Sequence, residues 1–162
     1  MQLLATFGLR PEELRFLKIE EGELKCNYRK AAGPGRRTPP RRLYPLMVRD
    51  GDGNPVDWHL ADRLAAGESL PPLGQPGKGA EALRTFLLRQ TPWKALQEEV
   101  AAAGGELVPY AFRHRYAKAS HAAGLPVASI AAAMGHTVQV HLQAYARFVP
   151  DGVGAAYAMA NQ

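Results

Sequence analysis

Arg113, His136 and Tyr145 follow one another through a stretch of the last third of the chain that holds no carboxylate between Glu106 and Asp151. A protein that handles a phosphodiester without a metal ion needs fixed cations around the phosphate and its own nucleophile, and this segment offers both. A second guanidinium, Arg10, lies far upstream in GLRPEEL, where Pro11 suits the first turn of a helix. A helix beginning at or just before Arg113 presents free backbone N–H groups and a guanidinium together, which suits two non-bridging phosphate oxygens.

Each residue also has a plainer reading. Arg10 can pair with Glu13 across a helical turn, and any single arginine can be a surface ion pair. Tyr145 completes a stripe with Val138 and Leu142 at i, i+4, i+7 spacing, the pattern of a core face. His136, after Gly135, can be a capping or core histidine. His114 and His121 stand one helical heptad apart, but the carboxylates of a magnesium site and the further ligands of a zinc site are missing nearby, so no metal is expected.

As they stand, LLATFGLRPEEL, PYAFRHRYA and AAMGHTVQVHLQAY resemble the tyrosine recombinase (phage integrase) family. That family carries an arginine in a GLRxxEL turn, an HxxR helix start, an LGH turn and a tyrosine nine residues after that histidine, the spacing of His136 to Tyr145. Two positions depart from the pattern: Tyr110 stands where the family has histidine, and Met134 replaces the leucine of the LGH turn. The resemblance runs from Leu3 to Val149 and is sharp at its two ends.

The resemblance implies a site-specific DNA recombinase or integrase catalytic domain that cleaves and rejoins duplex DNA through a covalent 3′-phosphotyrosine without metal or cofactor. Arg10, Lys30, Tyr110, Arg113, His136 and Tyr145 would carry the chemistry, with Glu13 supporting Arg10 and Tyr145 as nucleophile. Lys30, in the loop between the second and third strands, would give the leaving 5′-oxygen its proton, with Lys25 as the fallback. Tyrosine is a poor proton acceptor at neutral pH, so Tyr110 implies slower cleavage than histidine would give. Residues 1–150 would form the catalytic domain, lacking its first helix and the family's N-terminal DNA-binding domain, and 151–162 a tail that can dock on a partner copy. An inactive, truncated remnant is a further possibility on the same pattern.

A reading from a different class is a non-catalytic helix-turn-helix module. VASIAAAMGHTVQVHLQAY places two short helices around Gly135, and Gln139 and Gln143 would then face bases.

Charge agrees with an anionic partner. The chain carries a formal net charge of +5, with 46% hydrophobic residues and a single cysteine, Cys26. No acidic residue lies between Leu24 and Arg49, while Lys25, Arg29, Lys30, Arg36, Arg37, Arg41, Arg42 and Arg49 all do. Lys25, Arg29, Arg36, Arg37, Arg41 and Arg42, with Arg115 and Lys118 downstream, are the expected contacts to a DNA backbone. One cysteine excludes an internal disulfide, and no apolar run approaches a membrane span. A cytoplasmic, DNA-associated protein of bacterial or phage origin is the expectation.

The elements that must position these residues read as α+β, mainly helical, with a small antiparallel three-stranded sheet. Helices are expected at Gln2–Thr6, Pro11–Leu17, 57–66, 81–90 and 93–103, followed by three helical pieces. Phe112, Tyr116, Ala119 and Ala123 mark the buried face of the first of these, and Thr137–Arg147 is the third. Strands are expected at Leu17–Ile19, Glu23–Tyr28 and Arg42–Leu46, with DGDGN at 50–54 as a turn. The tail repeats Val153, Ala156, Tyr157 and Ala160 at helical spacing.

Overall fold

A computed structural model describes residues 1–31, 34, 35, 37–150 and 152–161, without the side chains of Ala155 and Ala156. Helix α1 (Gln2–Phe7) buries Leu3, Leu4 and Phe7 and ends where Gly8 turns left-handed at φ 61°. Glycine is required there twice over: positive φ disfavours any other residue, and a Cβ would lie 2.6 Å from Cδ1 of Tyr116. Pro11 then opens a 3-10 helix (Pro11–Phe16) in which the Glu13 carboxylate accepts the Arg10 backbone N–H at 2.8 Å.

Strands β1 (Leu17–Glu20), β2 (Glu23–Cys26) and β3 (Arg41–Arg42) form an antiparallel sheet in the order β1-β2-β3, with Ile19 opposite Leu24 and Cys26 opposite Arg41. The third strand is shorter than the expected Arg42–Leu46, because the chain leaves the sheet after Leu43 to bond elsewhere. Leu46 N–H donates to Thr6 O at 2.8 Å, and Tyr44 O accepts the Tyr116 hydroxyl at 2.9 Å. The DGDGN turn closes an unforeseen second hairpin, β4 (Val48–Arg49) with β5 (Pro55–Val56), where the Asp50 carboxylate accepts the N–H groups of Asp52 and Asn54.

Helices α2 (Leu60–Ala65), α3 (Gly79–Leu87) and α4 (Thr91–Ala102) follow, then α5 (Ala111–Ala122), α6 (Val127–Ala133) and α7 (Val138–Tyr145). Thr137 caps α7 by accepting Val140 N–H at 3.2 Å, and a 3-10 turn (Ala146–Phe148) replaces the expected last turn of that helix. The final helix α8 (Val153–Ala160) leaves Val153, Tyr157 and Met159 exposed at 67%, 70% and 75%. With about 48% of the chain helical and short antiparallel sheets, the architecture is α+β. Among the described residues no helix is long and apolar enough to cross a membrane.

Among the described residues two apolar clusters hold the fold. The larger joins α1, β2, α3 and α4 through Leu3, Leu4, Leu9, Leu24, Leu87 and Trp93, and the smaller gathers Tyr116, Ala117, Ile130, Met134 and Tyr145 from α5, α6 and α7. Leu4, Leu9 and Leu87, each 1% exposed, contribute roughly 2 kcal/mol apiece by leaving water. Helix α1 packs on α5, so the polar residues between the clusters lie in the seam where the N-terminal and C-terminal parts of the chain meet.

Two buried faces differ from the periodicity reading. On α5 the inward residues are Arg113, Tyr116, Ala117, Ser120 and His121, while Ala123 is exposed and Phe112 and Ala119 are half-buried. The helix is rotated toward Arg113 because carbonyl acceptors draw that side chain inward. On α7 Val138 and Leu142 are exposed, and His141 and Tyr145 form the buried face.

Candidate active site

Glu13 is the centre of the polar seam. Its carboxylate is 0% exposed and receives Arg10 Nη1 at 2.9 Å, Arg41 Nη2 at 2.9 Å and, more distantly, Arg113 Nη1 at 3.7 Å. Burial alone pushes this carboxyl up, but the hydrogen bond and charge of Arg41, then Arg113 and the Arg10 backbone N–H, hold it below the ordinary carboxylate range. Three guanidiniums around one carboxylate leave an excess of positive charge, as an anion site requires.

Arg113 is 1% exposed. Its Nη1 donates to Gly8 O and its Nη2 to Met134 O at 2.6 Å, so the left-handed turn after α1 and the end of α6 both fix it. Burial, then the charge of Arg10, lowers its pKa from the ordinary value. Gly135 (φ 67°) turns the chain after α6 and delivers His136, whose Nε2 accepts from Arg10 Nη2 at 2.8 Å and from Arg113 Nη2 at 2.7 Å. An imidazole accepting two guanidinium N–H groups at Nε2 carries its proton on Nδ1. That Nδ1 is buried and has no partner among the described residues. Burial first, then Arg113, Arg10 and His141, push the His136 pKa down to about 3, so the ring is neutral.

The Tyr145 ring is 1% exposed and stacks on His136, with centroids 5.9 Å apart and 17° between planes. Burial pushes its phenol up to about 12 although the neighbouring Arg113 favours the anion, and Tyr110 is its other polar neighbour. Beneath it lie His141 at 4.9 Å and His114 at 5.5 Å between ring centroids. His141 Nε2 and His121 Nε2 are 3.0 Å apart, so one donates and the other accepts; burial lowers both pKa values. The phenol therefore rests on neutral imidazoles, next to one guanidinium and one imidazole away from the other.

The structure thus brings together Arg10, Glu13, Arg113, His136, Tyr145 and, at the N-cap of α5, the partly exposed Tyr110. Lys30 is exposed in the β2–β3 loop, where its backbone pairs with Thr38. Among the described residues no hydrogen bond or ion pair joins Lys30 to the cluster. Lys25 pairs with Glu20 at 3.2 Å and Arg42 with Glu23 at 2.6 Å. Arg29, Arg37 and Lys118 are exposed, and Arg36 lies outside the described residues.

Besides Lys25 and Arg42, two more of the expected backbone contacts have partners within the fold. Arg115 donates to the carbonyls of Ala5, Leu46 and Met47 at 3.1, 2.9 and 2.6 Å, and Arg41 is bound to Glu13 and to Ala133 O at 3.1 Å. Satisfied carbonyls and a buried carboxylate hold these guanidiniums in the fold, in place of an outward aim at DNA. Sequence reasoning missed Arg41 as part of the cluster, since nothing in its basic surroundings sets it apart. It also missed His114 and His141 as the floor of the phenol; the signal for His141 was its place four residues before Tyr145, on the same helix face.

The chain is 27% identical over 153 residues to a protein of a Nostoc species named Excisase A. The match takes in 90% of this chain and 30% of that relative, so the chain spans about a third of its length. No protein-family model matches the chain, and no solved structure matches it.

Proposed function

We propose that the chain is the catalytic domain of a tyrosine recombinase acting on duplex DNA. One observation carries this: two guanidiniums from distant parts of the sequence, Arg10 and Arg113, converge on His136 Nε2, and the Tyr145 ring stacks on that same imidazole. A relative named as an excisase supports the reading.

In this reaction a phosphodiester oxygen takes the place that His136 Nε2 now holds between the two guanidiniums. Arg10 and Arg113 grip the non-bridging oxygens and supply the positive charge that the transition state needs. The anion offsets their field on His136 and favours a proton on Nε2, which turns that atom from acceptor to donor. The Tyr145 oxygen forms a bond to phosphorus, the bond to the 5′-oxygen breaks, and the phenolic proton leaves toward a phosphate oxygen or water. The released 5′-oxygen takes a proton from a lysine, Lys30 of the β2–β3 loop first and Lys25 of strand β2 second. Rejoining reverses each step.

At 1% exposure the phenol does not meet a duplex in the resting arrangement, so the 3-10 turn Ala146–Phe148 must carry the end of α7 outward on binding. Exposed Arg29, Arg37 and Lys118 hold the DNA backbone. The exposed apolar face of α8 docks on a second copy of the chain.

A second reading is reversible DNA binding by the α6–α7 pair, favoured by the exposure of Gln139 and Gln143 and by the burial of Tyr145. Incubation with nicked suicide substrates separates the two. A denaturation-resistant protein–DNA adduct that vanishes in Tyr145→Phe is expected; salt-sensitive binding with no adduct in the chain or in an extended version overturns the recombinase reading.

A further inference from the structure

Arg41 sits on β3 inside the basic run, yet its side chain is only 13% exposed and bound at both ends of its fork. Nη2 holds Glu13 Oε2 at 2.9 Å, and Nε holds Ala133 O at 3.1 Å. Its guanidinium also covers the turn that delivers His136, for a Cβ on Gly135 would lie 2.9 Å from Arg41 Nη1 and 3.0 Å from its Cζ. One side chain thus joins the 3-10 helix that carries Arg10 to the end of α6 that precedes His136.

We propose that Arg41 is a positioning residue of the phosphate site, acting through Glu13 and the Ala133–His136 turn, and does not itself contact DNA. The inference rests on the recombinase reading for its catalytic consequence, but its structural part stands on the contacts alone. Reaching a phosphate would require Arg41 to release Glu13, which would leave a fully buried carboxylate with only Arg10 close by. Holding Glu13 ionised keeps Arg10 and Arg113 turned toward His136. The planar fork is essential, because the single ammonium of a lysine cannot span a carboxylate and a carbonyl on different elements.

The test uses Arg41→Met and Arg41→Lys in the full chain. In Arg41→Met the Glu13 carboxyl, followed by carbon-13 NMR, is expected to titrate about one pH unit or more above its position in the unaltered chain. Duplex affinity should stay within about threefold and its salt slope should not change, since neutralising one phosphate fewer would lower that slope by about 0.9. Adduct formation should fall by about 10- to 100-fold, with its acid limb displaced to higher pH. Arg41→Lys, which carries the test if the methionine variant does not fold, should keep Glu13 nearer its native titration yet still form adduct more slowly. An unmoved Glu13 titration in folded Arg41→Met, a wild-type adduct rate in Arg41→Lys, or a reduced salt slope in either overturns the proposal. Should neither the unaltered chain nor an extended version form adduct, the recombinase reading fails, while the Glu13 titration and the salt slope still decide the role of Arg41.

Discussion

The Tyr145 ring lies almost parallel to the His136 imidazole, 5.9 Å away, while the opposite demands of burial leave both neutral. The phenol is pushed up to about 12 and the imidazole down to about 3. Neither group changes charge near neutral pH until something displaces the balance, and in the proposed reaction an anion between Arg10 and Arg113 is that displacement.

The neutral His136 makes stability fall in acid. Its folded pKa lies below the ordinary 6.5, so the unfolded chain takes up a proton that the folded chain refuses. The stabilisation is complete above pH 6.5 and declines as pH falls toward 3. Between pH 7 and pH 5 the loss should be on the order of 1–2 kcal/mol after allowance for partial solvation. Urea denaturation of His136→Asn against the unaltered chain checks this, since the variant should show a shallower decline.

Glu13→Gln should destabilise the chain by about 3–5 kcal/mol, because it leaves Arg113 buried without its counter-charge. Chemical denaturation at pH 7 measures it. A loss below about 1 kcal/mol would mean that the carbonyls of Gly8 and Met134 suffice to hold that guanidinium.

Gly8→Ala combines a left-handed backbone with a clash against Tyr116 and should cost about 2–4 kcal/mol. Gly22→Ala is the control: its φ is also positive, at 77°, but a Cβ there meets nothing within 4 Å, so about 1 kcal/mol is expected. Equal thermal shifts in the two variants would remove the case for close packing at Gly8.

Replacing Arg29 and Arg37 by alanine should lower the salt slope of duplex binding by about 0.9 for each phosphate no longer neutralised, with little change in folding. Arg115→Ala should act the other way, lowering the melting temperature first, because its guanidinium fastens three backbone carbonyls. Fluorescence anisotropy across a salt series, paired with thermal melts, separates these outcomes.

The exposed apolar residues of α8 should drive self-association of the chain, and Tyr157→Glu should weaken it. Sedimentation on dilution reads the difference; a monomer at every concentration in both proteins would end the docking idea.

Much of this was legible in the residues because local chemistry and global fold agree. Gly8, Pro11 and Gly135 mark turns whose backbone requirements are written in their residue types, and Arg10, Arg113, His136 and Tyr145 lie together, a grouping that only the resemblance implied. The inward face of α5 was not legible, since periodicity counts apolar side chains and Arg113 is buried by carbonyls that only the fold supplies. Arg41 was hidden for the opposite reason: it looks like its basic neighbours, and only the burial of Glu13 singles it out. The early end of β3 follows from distant partners on α1 and α5 that no local pattern announces.

The bonds from Arg113 to the carbonyls after α1 and at the end of α6 make the group that would grip a substrate a structural rivet as well. Mutational drift that erased this arginine to silence the chemistry would also loosen the scaffold, so a descendant that had abandoned catalysis while keeping its shape would be expected to retain Arg113 and lose Tyr145 first.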